Sequence, residues 1–270
     1  VRHIRSPFGP RRVTQPGPVE WLKRVFLPEK GRAALRRNWA SPTWWLTSAI
    51  PFVLMRAYFE LMKYRGTDIV AEDWDNLVIL DACRYDSFEE YNSVPGRLEA
   101  RWSKASSTGL FLTRNFGDRT CHDTVYVTAN PMYRAERYGH EEVVGRSTFH
   151  DTVDVWETDW DETFTTVRPE AMVEPAKRAH DDNPNKRVIV HFLQPHTPFI
   201  GPTGREIERQ KGSSLIGEMV EDAERREGSP VWNLVQNGDL DLETARRAYR
   251  ENVELVMPHV ADLVDHFEGK

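Results

Sequence analysis

Long apolar runs are missing from this sequence. The most sustained one, Trp44-Trp45-Leu46-Thr47-Ser48-Ala49-Ile50-Pro51-Phe52-Val53-Leu54-Met55, runs on into Arg56, Glu60 and Lys63, short of the roughly 20 apolar residues that a spanning helix needs. It fits an amphipathic helix, either packed on its own domain or laid on a membrane surface through residues 44–63 with Trp44 and Trp45 at the interface. A basic excess is also missing. With 36 Lys and Arg against 42 Asp and Glu, the net charge is −6, which argues against nucleic acid as a partner, because phosphate binding rests on basic surface. Only two cysteines occur, Cys83 and Cys121; such sparse use suits a reducing compartment, and both are read as free thiols. No internal repeat and no secretory signal stand out. The expectation is a cytoplasmic protein, with membrane association left open.

Three short segments carry the chemistry. Asn76-Leu77-Val78-Ile79-Leu80 is a strand-forming run that ends abruptly on Asp81. Open α/β sheets bind ligands outside the carboxyl ends of their strands, so Asp81 is a candidate metal ligand or base; the alternative is an Asp that caps the following helix. A second run, Arg187 to Gln194, leads into Pro195-His196-Thr197-Pro198-Phe199. Prolines on both sides stiffen that loop and hold His196 as a candidate ligand, against the alternative of a surface histidine. His191, on the strand itself, lines the site at most. The third segment, Ser103-Lys104-Ala105-Ser106-Ser107-Thr108-Gly109, precedes the apolar Leu110-Phe111-Leu112. A hydroxyl at a helix start lies beside free N–H groups and the positive end of the helix dipole, which suits a phosphoryl or sulfuryl group. Thr108 is the expected nucleophile and Ser107 the runner-up. Either needs a base or a metal ion to become reactive, so the hydroxyl and the Asp and His make sense together.

The chain divides by composition into residues 1–66, a basic, Trp-bearing helical extension whose beginning is broken by Pro7, Pro10, Pro16 and Pro18, and residues 67–270, an α/β domain. Within the second part, 122–130 reads as a strand with Asn130-Pro131 as a turn, 169–179 as a helix opened by Pro, and 242–267 as a long helix. The acidic, aromatic stretch 151–161 reads as an insertion over the sheet. Its carboxylates at Asp154, Glu157, Asp159 and Asp161 form a solvated face in preference to a cation site. Residues 201–238 read as a surface excursion able to shape a pocket or lid. Strands alternating with helices imply an α/β fold: a mostly parallel sheet with helices on both faces.

In this order, the Asp81 strand, the Ser103 to Gly109 hydroxyl cluster and the Val188 to Phe199 strand with its His-x-Pro element resemble the alkaline phosphatase superfamily, and within it the sulfatase-like hydrolases and phosphoglycerol-type transferases. The resemblance covers about residue 68 to the end. It implies a divalent metal ion, zinc, manganese, magnesium or calcium, held by Asp81 and His196, and attack by Thr108 on a phosphate or sulfate ester that is a small molecule or lipid-linked. There are two departures. Neither cysteine lies in the Cys/Ser-x-Pro-x-Arg context that yields formylglycine, which favours a hydroxyl nucleophile and phosphoryl transfer. The late Asp-His-Gly element of the superfamily has no counterpart, so the reading expects a domain incomplete at its C-terminus, lacking one side of its metal site and silent as a 270-residue piece. The rival from another class is a non-catalytic binding or membrane-associated module on the same scaffold.

Overall fold

In the computed structural model, residues 36–62, 66–117, 119–132, 144, 147–211 and 230–269 are described. The chain falls into two compact units, Val1–Arg65 and Gly66–Lys270. In the first, Ser41 Oγ accepts from Trp44 N (3.3 Å) to start a helical turn at Pro42–Trp44. A wide turn at Trp45–Ala49 follows, and α1 spans Ile50–Met62. The wide turn has a local cause. Ile50 N reaches back five residues to Trp45 O just before Pro51, which has no N–H to continue an α-helical ladder. Leu46, Leu54 and Leu61 are exposed. No helix among the described residues is long and apolar enough to cross a membrane.

The second unit contains, in chain order, β1 (Asn76–Asp81), α2 (Tyr85–Tyr91), α3 (Thr108–Phe116), β2 (Cys121–Thr128), β3 (Phe149–Asp154), α4 (Val155–Thr158), β4 (Trp160–Asp161), β5 (Thr166–Val167), α5 (Pro169–Asp182), β6 (Arg187–Pro195), α6 (Pro202–Lys211), α7 (Pro230–Asn237) and α8 (Leu242–Glu268). Four strands form a parallel sheet in the order β1-β6-β2-β3, and β4 and β5 make a small antiparallel pair. The chain is therefore α/β with helices on both faces of a parallel sheet. Strand alternation assigns those faces. Leu77, Ile79, Tyr126 and Ile189 pack with Leu112 and Phe116 of α3. Their neighbours Val78, Leu80, Val125, Val127, Val188 and Val190 pack with α5 and α8 on the other side.

Two segments differ from expectation. Residues 151–154 are not laid over the sheet: with Phe149 and His150 they form its β3 edge, because Phe149 turns into the core and stacks on Tyr126 at 4.8 Å. Of the acidic stretch that follows, Val155 and Trp156 are buried in α4. The 201–238 excursion carries α6 and α7, whose Ile207 and Val231 join Phe199, Ala245 and Ala248 in a third apolar cluster against α8; residues 212–229 lie outside the described set. Gly204 is needed there, since a Cβ on it would collide with the Phe199 carbonyl oxygen.

At the amino end of the strands, Arg187 donates to the Trp74, Val70 and Glu72 carbonyls, and its guanidinium lies 3.5 Å from the centre of the Trp74 ring. That arrangement ties the lead-in to β1 onto the start of β6, so the two strands that carry Asp81 and His191 share one register.

Candidate functional site

The order β1-β6-β2 makes neighbours of three strand ends that are distant in sequence. Pairing is regular until Leu80, where the register shifts so that Asp81 lies opposite Pro195. Such an irregularity re-aims the side chain at the end of a strand. Ala82 then adopts a left-handed conformation (φ 59°), which a residue with a Cβ takes up only where its surroundings hold it. Here Tyr249 of α8 holds it. Its hydroxyl donates to Ala82 O (3.0 Å) and accepts from Arg84 N (2.8 Å). Burial, the main cause, pushes the Tyr249 phenol up to about 12, so it stays protonated and able to donate.

Asp81 and Thr108 meet. Thr108 Oγ1 donates to Asp81 Oδ2 at 2.9 Å and lies 3.2 Å from Oδ1. Thr108 is the first residue of α3, and Ser107, at the cap position, makes no side-chain bond to the helix. The opening N–H groups of α3 therefore lack a side-chain acceptor at the place where the Thr108 hydroxyl stands. Ser107 is exposed and Thr108 half-buried; of the two, Thr108 is the one that touches the carboxylate.

Asn130 supplies a contact that sequence reasoning missed. It follows β2 and is 2% exposed. Its backbone N donates to Thr128 Oγ1 and its Oδ1 accepts from Met132 N, each at 2.9 Å. With Oδ1 so occupied, the amide donates through Nδ2 to Asp81 Oδ2, also at 2.9 Å. The available signal was position: an amide just past the carboxyl end of a strand. In the sequence the Asn-Pro pair signals only a turn.

The two histidines take different places. His196 N donates to Asp81 O and Leu193 O, each at 3.0 Å, which joins the loop after β6 to the end of β1. Its ring donates through Nδ1 to Thr197 O (2.7 Å), leaving the Nε2 lone pair for a ligand or proton. Buried Asn252 of α8 seats the loop: Nδ2 donates to His196 O (3.3 Å) and Pro198 O (3.0 Å), and Oδ1 accepts from Ile200 N (2.9 Å). His191 lies beneath, 1% exposed, its Nδ1 bonded to the Tyr126 hydroxyl at 2.6 Å. Burial holds its imidazole below the usual range, opposed by the negative charge of Asp81. It is a neutral floor to the site.

Asp81 and Thr108 Oγ1 come together through their side chains, whereas His196 joins Asp81 through its backbone N–H; carboxylate and hydroxyl oxygens with an imidazole nitrogen are donor types that suit a divalent cation. Among the described residues, no group of three carboxylate, imidazole or thiol ligands gathers at Asp81, so this set is smaller than a closed site requires. Cys83, next to the turn, is unsuited to nucleophilic work, since burial above all, and Asp86 beside it, push its thiol up to about 11. No family model, curated protein or solved structure matches the chain.

Proposed function

We propose that the protein is a metal-dependent hydrolase or transferase of the alkaline phosphatase and sulfatase-like kind, acting on a phosphate or sulfate ester with Thr108 as the nucleophile. The observation that carries this reading is the Thr108 hydroxyl donating to Asp81 at the start of α3. Thr108 Oγ1 forms the new bond to phosphorus or sulfur while its proton passes along the existing hydrogen bond to Asp81. The ester P–O or S–O bond breaks, and the alcohol departs with a proton from water. The N–H groups that open α3 face the oxygens gaining charge. The hydroxide left by that water, or an acceptor alcohol that gives its proton to it, then attacks the phosphorus or sulfur, the bond to Thr108 Oγ1 breaks, and Asp81 returns its proton to Oγ1. Asn130 keeps Asp81 in place throughout. A divalent ion held by Asp81 and His196 would make the Thr108 hydroxyl more acidic and neutralise charge on the ester oxygens.

The test is turnover of an aryl phosphate and an aryl sulfate, with and without a chelator, by the protein produced from its natural gene. Thr108→Ala and Asp81→Ala should each lower kcat/KM by roughly 10²-fold or more, and Thr108→Ser should retain part of the activity. Turnover that survives both the chelator and Thr108→Ala would refute the reading. The rival, a non-catalytic binding or membrane-associated module, draws support from the lack of a three-ligand cluster at Asp81 among the described residues and from the exposed apolar side chains of α1. Absence of turnover on either ester would favour it.

A further inference from the structure

The C-terminal ends of α5 and α8 lie together. His180 and Asp181 stand in the last turn of α5, and His266 in the last turn of α8. One ligand atom from each of the three lies within 4.8 Å of the others. His180 Nδ1 is 3.3 Å and His266 Nε2 2.9 Å from the same oxygen, Asp181 Oδ1. We propose that His180, Asp181 and His266 form a binding site for a divalent transition-metal ion, with Zn²⁺ the best fit, which clasps the ends of the two helices.

The geometry is close to what a cation needs. Two ligands about 2.1 Å from a tetrahedral zinc ion are about 3.4 Å apart, and the separations here, 2.9 to 4.8 Å, bracket that value. In the present arrangement each imidazole directs an N–H at the carboxylate. The other neutral tautomer of each ring directs a lone pair there, so one cation replaces two N–H groups around one oxygen, and a water completes four-coordination. Two imidazoles and one carboxylate suit zinc better than magnesium or calcium, which prefer all-oxygen sets.

The surroundings favour a cation and hold the ligands. Both helices present the negative ends of their dipoles. One turn earlier on each helix, Lys177 Nζ donates to Asp262 Oδ1 at 2.7 Å, which sets the two helices in register. The Phe267 ring packs on His180 with centroids 4.8 Å apart. α5 ends where the chain turns back into β6, at the amino end of the strands, whereas Asp81 and Thr108 lie at the carboxyl end. The ion would thus have a structural role, independent of the ester chemistry.

Chelator-stripped protein should be titrated with Zn²⁺ by calorimetry in an Asp81→Ala background, so that the other candidate metal site cannot contribute. One equivalent should bind with micromolar affinity. His180→Ala and His266→Ala should each weaken binding by roughly tenfold or more, at least what loss of a supporting group costs a metal site. As a readout that needs no substitution at the site, Zn²⁺ should shift the ring ¹⁵N resonances of His180 and His266. No saturable binding, affinity unchanged in both histidine variants, or unshifted His180 and His266 resonances would each overturn the proposal, whatever becomes of the ester reaction.

Discussion

Replacing Asn252 by Leu tests how the loop that carries His196 is held. Leu is close in size and keeps the helix, so the change falls on three hydrogen bonds: Ile200 N to Oδ1 at 2.9 Å, and Nδ2 to Pro198 O and His196 O at 3.0 and 3.3 Å. Ile200 is 8% exposed, so its N–H loses its acceptor where water is scarce, which costs about 1–3 kcal/mol. His196 and Pro198 are half-buried, and water can replace part of what their carbonyls lose, leaving about 0.5 kcal/mol each. The sum is about 2–4 kcal/mol, partly offset by burying the Leu methyls. Urea unfolding followed by circular dichroism should show the unfolding free energy lowered by that amount, through a lower midpoint with the slope unchanged. Asn252→Asp keeps an acceptor for Ile200 N but sets a carboxylate against two carbonyl oxygens, so it should be no less damaging than Leu. A loss below about 0.5 kcal/mol in Asn252→Leu, within the range of ordinary surface substitutions, would refute the view that this residue seats the loop.

Two further outcomes follow from the same site. His191 is held below its usual value of 6.5 by burial; above about pH 6.5 both folded and unfolded states leave it neutral, and below that the unfolded chain takes up the proton first. Stability should therefore fall as pH drops below about 6.5, with a slope of at most ~1.4 kcal/mol per pH unit for this proton. His191→Gln, which retains a partner for the Tyr126 hydroxyl, should flatten that part of a urea-stability profile, and an unaltered slope would count against a buried neutral imidazole. Tyr249→Phe keeps the ring against Phe199 but removes the bonds to Ala82 O and Arg84 N. It should cost about 1–2 kcal/mol and increase amide exchange at Arg84, whereas protection equal to wild type would show that the turn after Asp81 holds itself.

What the sequence determined by itself was local. Asn76 to Asp81 and Arg187 to Pro195 announce themselves as strands through unbroken β-branched and Leu runs, the pattern of strands covered on both faces, and an Asp or Pro marks where each stops. Pro169 and Asp241 mark the starts of α5 and α8 just as directly, one by its ring and the other by accepting from Thr244 N. The abrupt ending on Asp81 and the hydroxyls ahead of α3 were legible for the same reason: each depends on a few adjacent residues. Strand order and register decided the rest. Asp81 and Thr108 are 27 residues apart, and Asp81 and Asn130 are 49 apart; their meeting depends on β6 inserting between β1 and β2 and on the register shift at Leu80. Residues 151–154 resembled part of an acidic insertion because their polar side chains are what a local window sees, yet Phe149 just before them turns inward once Tyr126 is there to receive it, and the segment closes the sheet. His191 reads in sequence as a polar residue near a site; only the layer of α3 above it and Tyr126 beside it make it a buried neutral base. Pairings of this kind arise between surfaces that exist only after the sheet has formed, and no window along the chain contains both halves of the contact.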